Sequence, residues 1–185
     1  MENGEGSYRR FLDGDDSGMV EIIRDYKDGL ILYINGFTSD IRASEELAKE
    51  AFFKLAVKKP RFSGRSSFKT WLYAIGRNAA LDNLRRRRSS REASLTGYED
   101  FVKDEEELER NYLKEERKII LHRVLSGLKP EYRQVLWLVY FENFSNSQTA
   151  QIMKKSRHQI ENLVYRAKKL LKSELIKEGF DYENL

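Results

Sequence analysis

Apolar residues recur along this chain at spacings of three and four, the period of a helix rather than a strand. The first such run contains Met19, Ile22, Ile23, Tyr26, Leu30, Tyr33 and Ile34. The whole chain has only two prolines, and the turn chemistry typical of an all-β protein is not apparent. We therefore expect an all-α fold.

Interruptions in this pattern divide the chain into separate helices. Residues 35–40 break the first run, a second helix is expected to begin near Ser44, and Pro60 ends that helix at the latest. The long helix that follows carries two stripes. One holds Phe68, Trp71, Leu72, Ile75 and Ala79 and is expected to pack on the earlier helices; the other holds Asn78, Asp82 and Arg85 and is expected to stay free for a ligand.

Positive charge is concentrated in residues 54–91. This stretch holds twelve Lys or Arg and one acid, Asp82, so its local charge is +11 in a chain whose net charge is +4. Interleaved with it are Phe62, Phe68, Trp71 and Tyr73. Cations mixed with aromatic rings suit a polymer that has a phosphate backbone and stackable bases. The stretch predicts a nucleic-acid-binding helix, with single-stranded bases among its candidate targets.

Composition also predicts the domain boundaries. Residues 1–18 are polar, acidic and glycine-rich, and we expect a disordered tail there. Residues 19–91 form a first domain. Residues 92–111 are interpreted as a linker, because within 92–109 eight acids are opposed by a single lysine. Residues 112–178 form a second domain.

The second domain carries the pattern of a helix-turn-helix. A helix closes around Gly127, and Pro130 stands where a first helical turn tolerates proline. Two short helical patterns follow, at about 146–153 and 157–172, joined by roughly three residues. The small Ala150 inside the first of them allows the second to pack closely.

Several classes of function find no support in the sequence. Cysteine is absent, and two histidines give no plausible zinc set, so neither disulfides nor a metal site are expected. We find no phosphate-binding glycine motif and no nucleophile elbow, and expect neither an enzyme nor a cofactor. No apolar run approaches the ~20 residues of a membrane span, and the N-terminus does not resemble a signal peptide, so a cytoplasmic protein without membrane contact is expected.

Three segments, in this order, resemble the extracytoplasmic-function sigma factors, the small two-domain initiation factors of the sigma-70 family. Residues 44–52 (SEELAKEAF) resemble region 2.2, which holds the clamp helices of RNA polymerase. Residues 62–86 resemble regions 2.3 and 2.4, and residues 125–171 resemble region 4. The chain departs from the family pattern at Lys49, at Lys154-Lys155 in the turn, at Ser147-Gln148 and at Glu161.

The resemblance implies that the first domain opens and reads the −10 element of a promoter. The residues it assigns to this task are Phe62, Ser66, Lys69, Arg77, Asn78, Asp82, Arg85 and Arg86. The loop 62–67 would form the edge of a pocket for an unstacked base, and Asn78 and Asp82 would read bases. The arginines of 85–88 would bind the DNA backbone. Alternatively, Asp82 simply pairs with Arg85 or Arg86 along the helix. Trp71 is interpreted as core rather than as a stacking platform.

For the second domain, the resemblance implies binding to duplex DNA at the −35 element. The assigned residues are Arg157, His158, Glu161, Asn162, Tyr165, Arg166 and Lys169. Glu161 could accept from cytosine and Asn162 could pair with adenine, whereas for His158 a plain exposed position is favoured slightly over base contact. Lys154, Lys155, Lys168 and Lys169 suit phosphates.

A third assignment concerns RNA polymerase itself. The residues expected to contact it are Glu45, Glu46, Leu47, Lys49 and Glu50. Alternatively, these acids merely complement the positive end of their helix. The acidic linker is interpreted either as an inert spacer or as a nucleic-acid mimic inside a basic polymerase channel.

The implied function is that of a sigma factor, with core RNA polymerase, promoter DNA and an anti-sigma factor as partners. It would direct the polymerase to specific promoters and assist DNA melting. The alternative is a stand-alone helix-turn-helix repressor or activator, in which the first domain senses a signal or dimerises. Residues 54–91 discriminate the two, because such a regulator needs no second basic domain with base-reading groups.

Overall fold

The computed structural model describes residues 4–93 and 116–179, and throughout these ranges the regular structure is helical. The expected all-α class is therefore confirmed. The chain divides into two compact units, Met1–Asp100 with Gln151–Met153 and Phe101–Ala150 with Lys154–Leu185. Among the helices of the described ranges, none is long and apolar enough to cross a membrane.

Four helices form the N-terminal unit: α1 (Gly4–Leu12), α2 (Ser17–Thr38), α3 (Ile41–Lys58) and α4 (Phe68–Ala93). Helix α2 is central, since it packs against the other three, and α3 also packs against α4. Their shared core contains Tyr33, Ile34, Leu55 and Leu72, all fully buried. Burying each such side chain stabilises the unit by about 1.5–3 kcal/mol.

Helix α1 corrects one expectation. Residues 1–18 were expected to be disordered, but Gly4–Leu12 is helical and buries Tyr8 and Phe11. Gly18 permits the close approach of α1 to α2, because a Cβ there would lie 2.1 Å from the carbonyl oxygen of Ser7. The segment is polar on average, yet its two buried aromatic side chains are enough to pack it against the rest of the unit.

The boundary between α2 and α3 also differs from the prediction. Helix α2 continues through residues 35 and 36 to Thr38 instead of breaking at Asn35, because both of those residues are buried in the unit. Helix α3 begins at Ile41 rather than near Ser44, since the Asp40 carboxylate caps it by accepting from the Ala43 N–H at 2.8 Å. Its end at Lys58 agrees with the limit set by Pro60.

The second described range contains α5 (Glu116–Gly127), α6 (Pro130–Leu136), a π-helical turn (Trp137–Phe141), α7 (Asn146–Met153) and α8 (Arg157–Lys177). Helices α5 and α6 both pack against α8. Pro130 occupies the start of α6, where its missing N–H leaves no hydrogen bond unmade. Helix α4 reaches Ala93, and the remainder of the expected linker lies outside the described residues.

Capping boxes define the start of both helices in the helix-turn-helix. Ser145 Oγ accepts from the Gln148 N–H at 3.2 Å, and Gln148 Oε1 accepts from the Ser145 N–H at 2.9 Å. Ser156 and Gln159 repeat this exchange at 3.1 and 2.8 Å. Lys154 takes the left-handed conformation that closes the turn, with φ of 54°. The three-residue connection predicted by the spacing is present.

Candidate nucleic-acid interface

Helix α4 separates a buried face from an exposed polar face. Phe68, Leu72 and Ala79 are buried, and Trp71 and Ile75 are half-buried. The polar stripe of Asn78, Asp82 and Arg85 is exposed. This division agrees with the helical period read from the sequence, and it leaves three side chains with hydrogen-bonding groups in solvent.

Asp82 pairs with Arg85 on that exposed face. Arg85 Nη1 donates to Asp82 Oδ1 at 3.1 Å, which is the helical pair that the sequence left open as an alternative role for Asp82. Both side chains are exposed, so the pair contributes at most about 0.5 kcal/mol to folding. A DNA base or phosphate could therefore replace either partner at little cost.

Lys69 and Arg77, the two expected phosphate contacts, are less free than Asn78. Lys69 Nζ lies 5.6 Å from the centre of the Tyr73 ring, a cation–π arrangement. Arg77 is half-buried, and its Nε is inside the unit. Burial raises the pKa of Tyr33, while the nearby positive charge of Arg77 opposes that rise. Both cations are thus partly held by their own unit.

The loop 60–67 is anchored at both ends; we call it the −10 loop after the role that the sequence resemblance implies for it. Phe62 lies against Phe68 and Trp71, with ring centres 5.8 and 5.2 Å apart. At the other end Ser67 caps α4, because its Oγ accepts from the Thr70 N–H at 3.1 Å. Between these anchors residues 63–65 are exposed and Ser66 is half-buried. Phe62 therefore belongs to the packing of the unit, and the tip 63–66 is what projects.

Three exposed arginines follow on the same helix. Arg85 and Arg86 are exposed along with Arg87, which also lies 3.6 Å from the Asp40 carboxylate. Their charges extend the exposed face of α4 beyond Asp82. A row of exposed guanidinium groups suits a phosphate backbone.

Helix α8 presents the residues expected at the second DNA site. Ile160 and Ala167 are fully buried on its inner face. The outer face exposes Arg157, His158, Asn162, Tyr165, Arg166 and Lys169, with Glu161 half-buried. The predicted face of this helix is therefore exposed as the spacing implied.

Pairs one turn apart organise the start of α8. Arg157 Nε donates to Glu161 Oε1 at 2.8 Å. Asn162 Nδ2 lies 3.1 Å from His158 Nε2, and the amide donates when that nitrogen carries no proton. Glu161 and His158 thus hold their neighbours, which leaves the outer guanidinium nitrogens of Arg157 and the Oδ1 of Asn162 for other partners.

Two of the lysines expected on phosphates are engaged within the C-terminal unit. Lys155 Nζ lies 3.1 Å from Glu131 Oε1, and Lys168 Nζ lies 5.8 Å from the centre of the Tyr140 ring. Lys154 and Lys169 are exposed.

The outer face of α3 corrects one polymerase-contact assignment. Leu47 is only 4% exposed and lies in the core, so it is not available to a partner in this structure. The spacing of apolar residues already indicated that Leu47 is buried, because Leu47 lies on the same helical stripe as Ala51 and Leu55. Glu46, Lys49 and Glu50 are exposed, and Glu45 is half-buried. Lys49 Nζ donates a hydrogen bond to Glu46 Oε1 at 2.7 Å, and this bond raises the pKa of Lys49.

Two apolar residues on the same face are exposed, although the sequence pattern did not single them out. Phe53 is 66% exposed and Val57 is 61% exposed, and they lie one turn apart on α3. Phe53 follows Phe52, which is buried in the core, and so an aromatic pair in the sequence splits between the core and the surface. An exposed apolar pair beside Lys49 and Glu50 is the composition expected at the centre of a protein–protein contact.

Two family models match the chain, each over one of the regions just described. Sigma-70 region 2 matches residues 22–90, and sigma-70 region 4 matches residues 118–171. Among curated proteins, the RNA polymerase sigma-H factor of Pseudomonas aeruginosa is 27% identical over 92% of this chain and 93% of its own length. The ECF RNA polymerase sigma factor SigW of Bacillus subtilis is 24% identical over 88% of this chain and 91% of its own.

Two solved structures share the fold. CnrH in complex with the cytosolic domain of CnrY superposes with a TM-score of 0.65 at 18% identity, covering 92% of this chain and 96% of that one. The sigma factor RpoE in complex with the anti-sigma factor NepR, from Bartonella quintana, gives a TM-score of 0.64 at 19% identity, covering 84% and 94%.

Proposed function

Because the chain belongs to the extracytoplasmic-function branch of the sigma-70 family, we propose roles for its individual surfaces. The family sets the function itself: the protein directs core RNA polymerase to specific promoters and assists DNA melting. One observation carries this conclusion, namely that regions 2 and 4 occur together and in order, over residues 22–90 and 118–171. Its partners are core RNA polymerase and promoter DNA.

The exposed face of α4 and the tip of the −10 loop are our candidates for the −10 element. Unstacking a base costs a few kcal/mol, which capture beside the protein must offset. Asn78 and Asp82 offer an amide and a carboxylate to base edges, and both are exposed. Arg85 and Arg86 lie further along the helix, where they suit phosphates.

The first turns of α8 are our candidate for the −35 element. Arg157 is the first residue of this helix, and residues at the N-terminus of a recognition helix meet base edges in the major groove. We assign guanine to the guanidinium of Arg157 and adenine to the amide of Asn162. Glu161 and His158 then act as positioning residues, since each is hydrogen-bonded to the reader one turn away.

The outer face of α3 is our candidate for the polymerase contact. Phe53 and Val57 provide apolar area at its centre, and Glu46, Lys49 and Glu50 provide a charged rim. Leu47 supports this face from the core. An anti-sigma factor is a further proposed partner, supported by the structurally similar RpoE, which was solved in complex with the anti-sigma factor NepR.

Sigma factors are initiation factors rather than catalysts, and we assign this chain no catalytic activity of its own. A cytoplasmic location follows from the partnership with RNA polymerase on the chromosome. The first domain includes α1 and extends along α4 to Ala93, beyond the expected limits of 19–91. For the second domain we propose 112–178, preceded by the acidic spacer.

Run-off transcription with core RNA polymerase tests the function. Adding the full chain to core enzyme should produce promoter-dependent transcripts on a template library from its host. Core enzyme alone and core enzyme with an α3 variant, Phe53→Asp, serve as controls. A chain that binds DNA but yields no promoter-dependent product on any template would favour the stand-alone regulator instead.

A further inference from the structure

Helix α1 is tied directly to the −10 loop. The Tyr8 hydroxyl donates to the carbonyl oxygen of Pro60 at 2.7 Å, across 52 positions of the chain. Tyr8 is only 1% exposed, so its hydroxyl reaches the start of the loop from inside the unit. Burial raises the pKa of Tyr8, which keeps the hydroxyl protonated and able to donate.

Aromatic packing adds a second tie. Tyr8 lies 5.4 Å from Phe68 and 5.5 Å from Trp71, measured between ring centres. Phe62 of the loop packs on the same two rings, at 5.8 and 5.2 Å. Tyr8 and Phe62 therefore share their partners, and the position of one constrains the other. In addition, Lys59 Nζ lies 4.8 Å from the centre of the Phe11 ring.

We propose that α1 positions the −10 loop, with Tyr8 as the positioning residue. This inference rests on the proposed role of the loop in capturing unstacked bases. A loop that is ordered before DNA arrives loses less conformational freedom on binding, and so it binds more tightly. Helix α1 precedes residues 22–90, the part that matches sigma-70 region 2, and nothing in that match assigns it a role.

The competing explanation is that α1 only completes the hydrophobic core. The aromatic rings of Tyr8 and Phe11 would serve that purpose without any hydroxyl. The hydroxyl of Tyr8 is what distinguishes the two explanations, because its recorded partner is the Pro60 carbonyl and not another part of the core. Removing that one atom leaves the ring packing intact and removes only the hydrogen bond to the loop.

Tyr8→Phe is the test variant, and Tyr26→Phe is its matched control. The Tyr26 hydroxyl accepts from the Gly4 N–H at 3.2 Å, so its hydrogen bond is to α1 and not to the loop. Each variant of the full chain is assembled with core RNA polymerase. The probe is the single-stranded oligonucleotide that the wild-type holoenzyme selects from a pool with a randomised core. Binding is followed by fluorescence anisotropy, with affinity for core enzyme and the urea midpoint measured alongside.

Tyr8→Phe should weaken oligonucleotide binding roughly two- to tenfold, the range expected for one lost hydrogen bond, while core-enzyme affinity stays unchanged. Tyr26→Phe should leave oligonucleotide binding at the wild-type level. Equal losses in both variants, or a loss in neither, would overturn the positioning role of α1. If the wild-type holoenzyme selects no oligonucleotide at all, the proposed role of the −10 loop fails first, and the inference fails with it.

Discussion

Glu161 has two candidate roles, reading a base directly or positioning Arg157, and the two predict different losses of base discrimination. The sequence suggested that Glu161 reads cytosine directly, whereas the structure hydrogen-bonds it to Arg157 at 2.8 Å. The perturbation we choose is Glu161→Ala, alone and combined with Arg157→Ala. In the positioning role Glu161 acts through Arg157, so both single variants should lose discrimination at the same base pair.

The magnitudes expected for the two roles differ. A direct base contact is worth about 1–3 kcal/mol of discrimination. An exposed pair one turn apart on a helix is worth about 0.3–0.5 kcal/mol. Glu161→Ala should therefore cost roughly twofold in discrimination, against roughly fivefold or more for Arg157→Ala. Since the change also removes a negative charge near the phosphates, overall DNA affinity should rise.

The assay measures binding of the holoenzyme to duplexes in which each base pair of the −35 site is replaced in turn. The starting duplex is the one selected by the wild-type holoenzyme from a randomised pool. Glu174→Ala is the charge-matched control, because Glu174 pairs with Lys177 at 2.7 Å on the same helix but near its far end. A loss of tenfold or more at a base pair other than the one read by Arg157, with additive effects in the double variant, would refute the positioning role.

Three further outcomes are expected. Asn78→Ala should reduce promoter opening, measured by 2-aminopurine fluorescence, by about 1–3 kcal/mol while core-enzyme binding is retained; equal loss of both would contradict its role. Arg86→Ala should weaken DNA binding for all sequences and lower the salt slope by about one unit, whereas a sequence-selective effect would make it a base reader. Phe53→Ala should lower core-enzyme affinity about tenfold with an unchanged urea midpoint, while Leu47→Ala should instead destabilise the unit by about 2–5 kcal/mol.

Much of the interface could be predicted, because a helix imposes its period on side-chain direction. Asn78 and Asp82 are exposed, and Phe68 and Leu72 are buried, as the spacing of apolar residues along α4 required. The same holds for Ile160 and Asn162 on α8. The placement of Pro130 in the first turn of α6 also follows from chemistry that acts within a few positions, and it could be predicted from the sequence.

Other features could not be predicted because they depend on partners distant in the chain. The segment containing Tyr8 and Phe11 reads as polar by composition, yet two aromatic side chains suffice to dock it when a groove is present. Helix α2 passes through Asn35 because Asn35 lies inside the unit, where a helical backbone satisfies its own hydrogen bonds. Neither the docking of α1 nor the continuation of α2 through Asn35 can be recognised from a few neighbouring residues.

The sequence by itself determined the helical class, the faces of α4 and α8, and the family, because all three depend on periodicity or on motifs that are local in the chain. Only the tertiary structure decided that α1 docks through Tyr8 and Phe11 and that the Tyr8 hydroxyl reaches the Pro60 carbonyl. These outcomes depend on which surfaces meet and which rotamers the packing leaves open. Such distances join positions that no local pattern connects.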